Sequence, residues 1–282
     1  MQSGKPSRTA WAAAAHRAAH QVLERGAIFA DPLALRILGE DAQTVARWAE
    51  DHSSGRAVRI FIAARARFAE DSLTAAVQRG VRQLVVLGAG LDTYAYRTTL
   101  GDRLRVFEVD RPATQAWKRQ RLEQAAIPLP PWLTFAPVDF ERETLAEGLA
   151  AAGLDREQRT FFTCLGVVPY LTEEAVRTIL GFMASLPHEA HVVFDYSDPP
   201  ASLSAESRDF HERRAARVAE IGEAWVSYFE KEKLRDLLAE LGFSEIEDLG
   251  PPEIATLYFP TRARPAHSLT EKGGHVVHAA TV

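Results

Sequence analysis

The pattern of apolar residues divides the chain into a helical first part and a second part in which strands and helices alternate. Apolar positions recur at helical spacing in three alanine-rich stretches, residues 11–23, 32–38 and 58–77. From Arg82 the character changes, because residues 84–87 form a short continuous apolar run that ends at Gly88. Such a run is typical of a strand buried on both faces of a parallel sheet. The first eighty residues are therefore predicted to be helical, and the sheet to begin near residue 84.

Similar apolar runs recur along the rest of the chain. Further strands are predicted at residues 105–109, 134–138, 161–168, 191–196, 245–249 and 255–259. Helical segments fill most of the gaps. One is predicted to begin after Thr172, a favourable N-cap residue, and to end before Pro187, and a later one ends at Gly242. This alternation predicts an α/β fold, a Rossmann-like, doubly wound, mostly parallel seven-stranded sheet.

The predicted organisation has three parts. Residues 1–80 form an N-terminal helical cap, residues 81–264 the Rossmann-like domain, and residues 265–282 a C-terminal tail with little periodicity. Residues 198–222 are strongly charged and helical, which predicts an inserted helical lid over the sheet. Its basic residues are typical of a solvated helix face, although one of them could reach an acidic substrate. They are Arg208, Arg213, Arg214 and Arg217.

Composition and charge narrow the classes of function. Lys and Arg total 33 against 38 Asp and Glu, a net charge of −5, which argues against a surface built to bind nucleic acid. Cys164 is the only cysteine, so the chain can form neither an internal disulfide nor a thiolate zinc site, and a cytoplasmic location fits best. The histidines show no metal-binding spacing, so no metal site is predicted. His16 and Arg17 interrupt the alanine-rich start before a signal peptide or membrane span could form.

The turn after the first strand carries the first candidate chemistry. Residues 84–97 read LVVLGAGLDTYAYR, so Gly88 and Gly90 follow the strand at the edge where open α/β sheets bind ligands. The next strand, RVFEVD, contains Glu108 and ends in Asp110, about 20 residues beyond the glycines. A carboxylate at this place suits the two ribose hydroxyls of a nucleoside cofactor. A tight turn that binds no ligand is the alternative interpretation of the glycines alone.

The third position of the glycine turn distinguishes between cofactors. A dinucleotide fingerprint requires a third glycine where this chain has Thr93, and Asp92 would repel a pyrophosphate placed nearby. S-adenosylmethionine has a ribose and an adenine but no phosphate, and its sulfonium is positive. The acidic turn therefore favours this methyl donor over a nicotinamide dinucleotide.

At this point the sequence resembles a known family, the leucine carboxyl methyltransferase-like class I S-adenosylmethionine-dependent methyltransferases, which include bacterial polyketide-type O-methyltransferases. The resemblance is carried by RAAH at residues 17–20, DPLA at 31–34, GAGLDTYAYR at 88–97, FEVDRP at 107–112, APVDF at 136–140, LGVVPYLT at 165–172, FDYSDPP at 194–200 and GEAW at 222–225. Taken jointly, these motifs are specific and cover most of the chain.

The resemblance implies roles for individual residues. Gly88, Ala89 and Gly90 would hold the methionine part of the cofactor, Asp110 the ribose, and Asp139 with Phe140 the adenine. Arg65 looks like the family's arginine that pairs with the cofactor carboxylate. Without the resemblance, Asp139 is more typical of a helix N-cap and Arg65 of a solvated helix residue.

Two positions depart from the family. Leu165 stands where many relatives carry a glutamate, so only a backbone or apolar contact with the cofactor is expected from it. Tyr94 stands where relatives often carry an arginine, which changes the local ion pairing.

The predicted activity is methyl transfer to an oxygen of a small-molecule acceptor, such as a natural product. An ionised carboxylate acceptor needs no base, whereas a phenol would benefit from one, and no catalytic residue is named. The expected acceptor-pocket residues are Tyr170, Tyr196, His211 and Trp225. The alternatives are a nicotinamide-dependent oxidoreductase and a cofactor-binding protein without turnover. The oligomeric state stays open, with a homodimer as one option.

Overall fold

The computed structural model describes residues 7–51, 55–139, 143–220, 222–258 and 273–282, and in them it contains eleven α-helices and seven strands. The helices are α1 Arg8–Leu23, α2 Ala34–Leu38, α3 Ala42–Glu50, α4 Gly55–Gln78, α5 Tyr94–Arg97, α6 Pro112–Gln124, α7 Leu145–Ala151, α8 Glu173–Ala184, α9 Ala205–Glu220, α10 Lys231–Leu241 and α11 Pro251–Tyr258. The strands are β1 Gln83–Leu87, β2 Arg105–Asp110, β3 Leu133–Pro137, β4 Thr160–Cys164, β5 Ala190–Ser197, β6 Glu245–Leu249 and β7 Gly274–Ala280.

The seven strands form one sheet in the order β3-β2-β1-β4-β5-β7-β6. Strands β1 to β5 pair with one another in parallel, and β7 runs antiparallel to both β5 and β6. Apolar residues of α7, α8 and α10 cover one face, and α4 packs on the other face. The predicted doubly wound, mostly parallel sheet is confirmed, and the carboxyl ends of its parallel strands meet at one edge.

Most predicted strands match the observed ones closely. Five of them agree to within one residue at each end: β1, β2, β3, β5 and β6. Strand β4 ends at Cys164 rather than at residue 168, because Gly166 has a left-handed φ of +70° and turns the chain. Helix α8 begins after Thr172, whose side chain accepts from the Ala175 N–H as an N-cap, and α10 ends at the left-handed Gly242.

Two predictions for the C-terminal part are wrong. Residues 255–258, predicted to be part of a strand, lie in α11, which begins at Pro251 and buries Ile254 and Ala255; residue 259 lies outside the described residues. A proline fits the first turn of a helix, where its missing N–H costs no hydrogen bond. The described part of the predicted tail, residues 273–282, is not separate from the domain, because β7 pairs between β5 and β6 and buries Val276, Val277 and the alanines that follow; residues 265–272 lie outside the described residues.

The N-terminal helices pack tightly on each other and on the sheet. Helix α1 buries Ala14, Ala15, Ala18, Ala19 and His20, and the small side chains of the four alanines let α2 and α3 approach closely. Helix α4 continues the packing, because its apolar residues join the core on one face of the sheet. The first eighty residues are helical wherever the structure describes regular elements in them, as predicted.

A buried carboxylate joins these helices to the turn after β1. Asp31 is 1% exposed; it accepts hydrogen bonds from the Thr93 hydroxyl at 2.7 Å and from Arg17 Nε at 3.3 Å, and lies 3.6 Å from Arg97 Nε. Arg17 also donates from its Nη2 to the Leu91 carbonyl at 2.5 Å. This network explains the structural part played by the RAAH and DPLA motifs, which hold α1 against the glycine turn.

Helix α9 lies within the predicted lid segment, residues 198–222. His211 is its only buried residue, and half-buried residues lie at helical spacing around it on one face: Ser207, Phe210, Arg214, Ala215 and Val218. The opposite face is exposed and charged. In the part of the chain that the structure describes, no helix is both long and apolar enough to span a membrane.

Candidate functional site

The glycine turn follows β1 at the carboxyl edge of the sheet. Gly88 and Gly90 have φ of +61° and +43°, which an L side chain rarely adopts. A Cβ at Gly88 would lie 2.4 Å from Val167 Cγ2, and a Cβ at Gly90 would lie 2.9 Å from Ala10 Cβ. The turn therefore requires glycine both for its backbone conformation and for the close packing of the loop after β4 and of α1.

Asp110 lies at the end of β2, directly beside this turn. Its Oδ2 accepts from the Gly90 N–H and its Oδ1 from the Arg111 N–H, each at 2.7 Å. Burial raises the pKa of the Asp110 carboxyl, and the hydrogen bonds from the two N–H groups oppose that shift. Each oxygen can accept a further hydrogen bond, so the side chain is fixed in place and can still accept from a ligand hydroxyl.

Glu108, two residues earlier on β2, has a different role. Its Oε2 lies 2.7 Å from Lys118 Nζ and accepts from the Tyr96 hydroxyl at 3.2 Å, and the carboxylate is 1% exposed. Burial raises the pKa of Glu108 to about 7, although the Lys118 ammonium opposes the shift. This buried pair joins β2 to α6 below the Asp110 position, so Glu108 belongs to the support of the site.

The predicted adenine-side residues are only partly described. Asp139 follows β3 and is half-buried; its N–H donates to Glu143 Oε2 at 3.2 Å, and its carbonyl accepts from the Glu143 N–H at 2.8 Å. Phe140 lies outside the described residues. Leu165 lines a small pocket between α4 and strands β1 and β4, where Asp92 and Glu70 are among the other lining residues.

Arg65 extends from α4 to the carboxyl end of β5. Its Nη1 donates to Asp195 Oδ2 at 2.6 Å, and the Gly166 N–H donates to Asp195 Oδ1 at 2.5 Å. A Cβ at Gly166 would lie 2.9 Å from Arg65 Nη2, so this glycine makes room for the guanidinium. Asp195 was not predicted from the sequence, although its position as an acidic residue at the end of a buried strand was a signal for it.

Three of the four expected acceptor-pocket residues come together. The Trp225 ring lies against His211 with a centroid distance of 5.1 Å, and His211 Nε2 lies 3.2 Å from the Tyr228 hydroxyl. Burial raises the pKa of Tyr170, and the nearby Trp225 indole and Thr9 hydroxyl oppose the shift. Tyr170, His211 and Trp225 thus form one aromatic group between the loop after β4 and α9.

Tyr196 is not part of this group. Its ring is 1% exposed, stacks on His275 at 4.7 Å and donates a hydrogen bond from its hydroxyl to Asp248 Oδ2 at 2.7 Å. Successive residues of a strand point to opposite faces, and Asp195, the preceding residue, already faces Arg65. The prediction of Tyr196 as a pocket residue is therefore wrong, because the side chain is part of the core behind β5.

Glu223 is a further contact residue that was not predicted individually from the sequence. Its carboxylate accepts from the Arg8 N–H at 2.9 Å and the Thr9 N–H at 3.1 Å, and also from the hydroxyls of Ser7 and Thr9. An acidic group stabilises the free N–H groups at a helix start. The segment after α9 is thereby fixed to the start of α1, next to the glycine turn.

Comparison of the sequence with known proteins identifies a family. Residues 10–184, more than half of the chain, match the model of the family described as "Leucine carboxyl methyltransferase". A protein of Bacillus subtilis (strain 168) named "Putative S-adenosyl-L-methionine-dependent methyltransferase YktD" is 35% identical over 201 residues, which cover 71% of this chain and 66% of that protein. A Frankia alni protein with the same description is 35% identical over 165 residues, 56% of this chain and 57% of that protein. The matched stretches thus span less than two thirds of these relatives.

A solved structure shows the same fold over nearly the whole chain. It is titled as a putative methyltransferase from Thermobifida fusca YX, and the superposition has a TM-score of 0.57 with 16% identity, covering 99% of this chain and 96% of that one. At this identity the likeness supports the fold alone.

Proposed function

The chain belongs to the leucine carboxyl methyltransferase family, and on this premise we propose that it transfers a methyl group from S-adenosylmethionine to an oxygen of a small-molecule acceptor. The observation that carries the proposal is the Asp110 carboxylate, held beside the glycine turn by the Gly90 N–H at 2.7 Å. It supports a nucleoside ligand, and the family membership supports the methyl donor.

The residues present fit this cofactor. Asp110 retains acceptor capacity for the ribose hydroxyls, and Asp92 in the same turn suits a cationic ligand better than a pyrophosphate. In our proposal the turn at Gly88, Ala89 and Gly90 holds the methionine part and Asp139 the adenine, while Leu165 contributes an apolar contact. When bound, S-adenosylmethionine supplies an electrophilic methyl group on its sulfonium.

The protein's own contribution to the reaction is chiefly positioning. An in-line displacement requires the acceptor oxygen roughly 3 Å from the methyl carbon, with competing water excluded. Tyr170, His211 and Trp225 give the site an aromatic wall on the α9 side. A carboxylate acceptor is ionised near neutral pH, so a transfer to it needs no general base.

Calorimetry tests the cofactor assignment. We expect the protein to bind S-adenosylmethionine and S-adenosylhomocysteine but not NAD. Asp110→Ala should weaken both by about tenfold or more, since hydrogen bonds to a carboxylate contribute about 1.5–3 kcal/mol each. Asp102→Ala, an exposed carboxylate before the opposite end of β2, is the matched control and should change neither affinity. Unchanged binding in Asp110→Ala, or binding of NAD in place of the methyl donor, would contradict the proposal.

Arg65 is proposed to bind the cofactor carboxylate with the donors that Asp195 does not use. Arg65→Ala should weaken S-adenosylhomocysteine about tenfold and leave 5′-methylthioadenosine, which lacks the amino-acid end, nearly unchanged. Because the substitution also leaves Asp195 without its partner, Asp195→Asn is the control for loss of the pair. Equal weakening of both ligands would indicate a structural role for Arg65.

The acceptor oxygen is tested by turnover. Incubation with labelled S-adenosylmethionine and a panel of carboxylic acids and phenols should yield methyl esters or methyl ethers. Products methylated only on nitrogen, sulfur or carbon would contradict the oxygen assignment while leaving the methyl donor in place. Binding of the cofactor without turnover on any acceptor class would favour a binding protein without activity.

A further inference from the structure

Arg214 lies on the inward face of α9 and has no charged partner within the part of the chain that the structure describes. Its Cζ lies 5.0 Å from the centroid of the Trp225 ring and 5.7 Å from that of Phe210. The side chain is half-buried, whereas its neighbour Arg213 is exposed and pairs with Asp209. The sequence placed both arginines on a solvated face, but the helix turns Arg214 inward, toward the aromatic group.

A second donor beside it also lacks an acceptor. The buried indole Nε1 of Trp225 has no acceptor that meets full hydrogen-bond geometry, and the Tyr170 hydroxyl lies only close enough for the indole to oppose the rise in the pKa of that tyrosine. An indole N–H and a guanidinium can only donate. Because buried donors are almost always paired, the unpaired indole N–H indicates that an acceptor from outside the chain completes the site, and the half-buried Arg214 guanidinium lies beside it and can bind the same group.

The charges around this site leave a positive excess. Arg65 and Arg214 both lie within electrostatic reach of Asp195, whose carboxylate already accepts from Arg65 and from the Gly166 N–H. The other nearby carboxylate, Glu223, is occupied by the start of α1. Burial lowers the pKa of Arg214 to about 10, and burial with the neighbouring guanidinium also lowers the pKa of His211. Arg214 therefore carries the positive charge at this site that no carboxylate balances.

We propose that Arg214 and the Trp225 N–H form a subsite for a carboxylate group of a bound small molecule. The inference deepens the proposed function and rests on it, because it assigns a chemical class to what binds beneath α9. A guanidinium offers paired donors that match the two oxygens of a carboxylate, and the indole N–H adds a third. Two molecules could supply the group: a carboxylic acid acceptor, or the methionine end of the cofactor.

Three variants separate the effect of the two donors on binding from any effect on folding. Arg214→Gln removes the charge and keeps a polar side chain, and Trp225→Phe removes only the N–H and keeps a ring. Arg213→Gln is the matched control, since it removes the same charge from the exposed face of the same helix. Thermal unfolding checks folding: removing an unpaired, half-buried charge should leave the melting temperature of Arg214→Gln equal to or above that of the wild type.

Two binding experiments, called here the first and second arms, distinguish the two possible sources of the carboxylate. The first compares the affinities of S-adenosylhomocysteine and 5′-methylthioadenosine, which differ in the amino-acid end. The second titrates acetate, benzoate and phenylacetate, each against its neutral amide, into protein saturated with S-adenosylhomocysteine, and measures each affinity by calorimetry. We expect Arg214→Gln to weaken carboxylate binding about tenfold or more in one arm, Trp225→Phe less, and Arg213→Gln not at all.

The outcomes are decisive in both directions. A loss confined to the first arm assigns the carboxylate to the cofactor, and a loss confined to the second assigns it to the acceptor. The proposal is overturned if Arg214→Gln leaves the first comparison unchanged and the second experiment shows no role for Arg214 either. The second shows none if no acid binds the wild type better than its amide, or if Arg214→Gln binds the acids as tightly as the wild type does. Acid binding that depends on Arg214 in a protein that does not bind S-adenosylhomocysteine would retain the subsite and reject the proposed function.

Discussion

Helices α1 and α9 have the same length, 16 residues, and border the same site, yet they are held in opposite ways. Helix α1 buries five residues among the alanine-rich N-terminal helices, whereas α9 buries only His211. The start of α1 is fixed by Glu223, and its middle by the Arg17 contacts to Asp31 and Leu91. Length and helical periodicity alone therefore do not determine whether a helix becomes a fixed wall.

The difference lies in which side chains point inward. Small apolar side chains let α1 pack closely on its neighbours, while α9 presents an arginine, a histidine and a phenylalanine to the site. Few buried apolar contacts mean a low free energy of local opening. We infer that α1 is the fixed wall of the site and α9 the wall that opens for the acceptor.

Replacing α9 should have the largest effect on this contrast. A variant in which a short glycine-serine linker replaces residues 204–220 should lose turnover by 100-fold or more, on the order of 3 kcal/mol in transition-state stabilisation. Its affinity for 5′-methylthioadenosine, which lacks the carboxylate, should stay within a few-fold of the wild type. Loss of this affinity together with turnover would mean that α9 is as structural as α1.

Hydrogen exchange on the unaltered protein is the control for that experiment. Backbone amides of α9 should exchange faster than those of the buried half of α1, and should slow when an acceptor or product is added. Equal and ligand-independent protection of both helices would remove the contrast.

Among the effects on the stability of the fold, removal of the buried carboxylate that anchors α1 should be the largest. Asp31→Ala leaves Arg17 and Arg97 without a shared buried partner, so the free energy of unfolding should fall by about 3–5 kcal/mol. Asp209→Ala removes an exposed pair with Arg213 on α9 and should cost less than about 1 kcal/mol. Urea unfolding of both variants measures the difference, and similar losses would contradict the contrast.

The stability contributed by the contact at Asp198, where the segment that leads to α9 begins, is predicted to depend on pH. His275 lies between Asp198 Oδ2 at 3.0 Å and Asp248 Oδ1 at 2.8 Å; burial alone would lower its pKa, but these carboxylates raise it to about 9. A histidine whose pKa is raised by folding stabilises the fold fully at pH values below its unfolded pKa, near 6.5. This stabilisation is lost as the pH rises through the folded pKa, about 9.

The expected loss is about 3 kcal/mol of unfolding free energy between pH 6.5 and 9.5. His275→Gln should be less stable at pH 6.5 and lack most of this dependence. Unfolding measured at four pH values in this window checks it, and a wild type with a flat profile would show that His275 is neutral in the folded state.

The smallest effect is expected at the contact between the two regions. Glu223→Ala leaves the Arg8 and Thr9 N–H groups without their acceptor, which should cost about 1–2 kcal/mol, as for other helix caps. Glu220→Ala, at the exposed end of α9, is the control and should be neutral. Equal stability of the two variants would mean that solvent replaces Glu223 without cost.

Local signals in the sequence predicted the parts of the fold that depend on neighbouring residues. Thr172 and Gly242 mark the ends of two helices, because a cap acts within its own turn. Strand β7 was missed because HVVHAA is short and follows two glycines, and only its place between β5 and β6 explains why it is ordered. Helix α11 was predicted as a strand because a short apolar run fits either element.

The candidate site was predictable to a similar extent. Asp110 could be predicted because it ends a strand that lies close in sequence to the glycine turn. Asp195, Arg214 and Glu223 did not stand out, because their meaning depends on contacts between residues far apart in the chain. Tyr196 was placed wrongly because the motif FDYSDPP does not reveal which face of β5 each residue takes.

The position of β7 in the sheet also bears on how the molecule is assembled during translation. Strand β6 hydrogen-bonds to β7 and, in the described sheet, to no other strand, and β7 comes some 25 residues later in the chain. A growing polypeptide therefore exposes the free edges of β5 and β6 until β7 leaves the ribosome and inserts between them. Unpaired strand edges of this kind are recognised by chaperones and are prone to aggregate, so synthesis halted before β7 should yield an insoluble product.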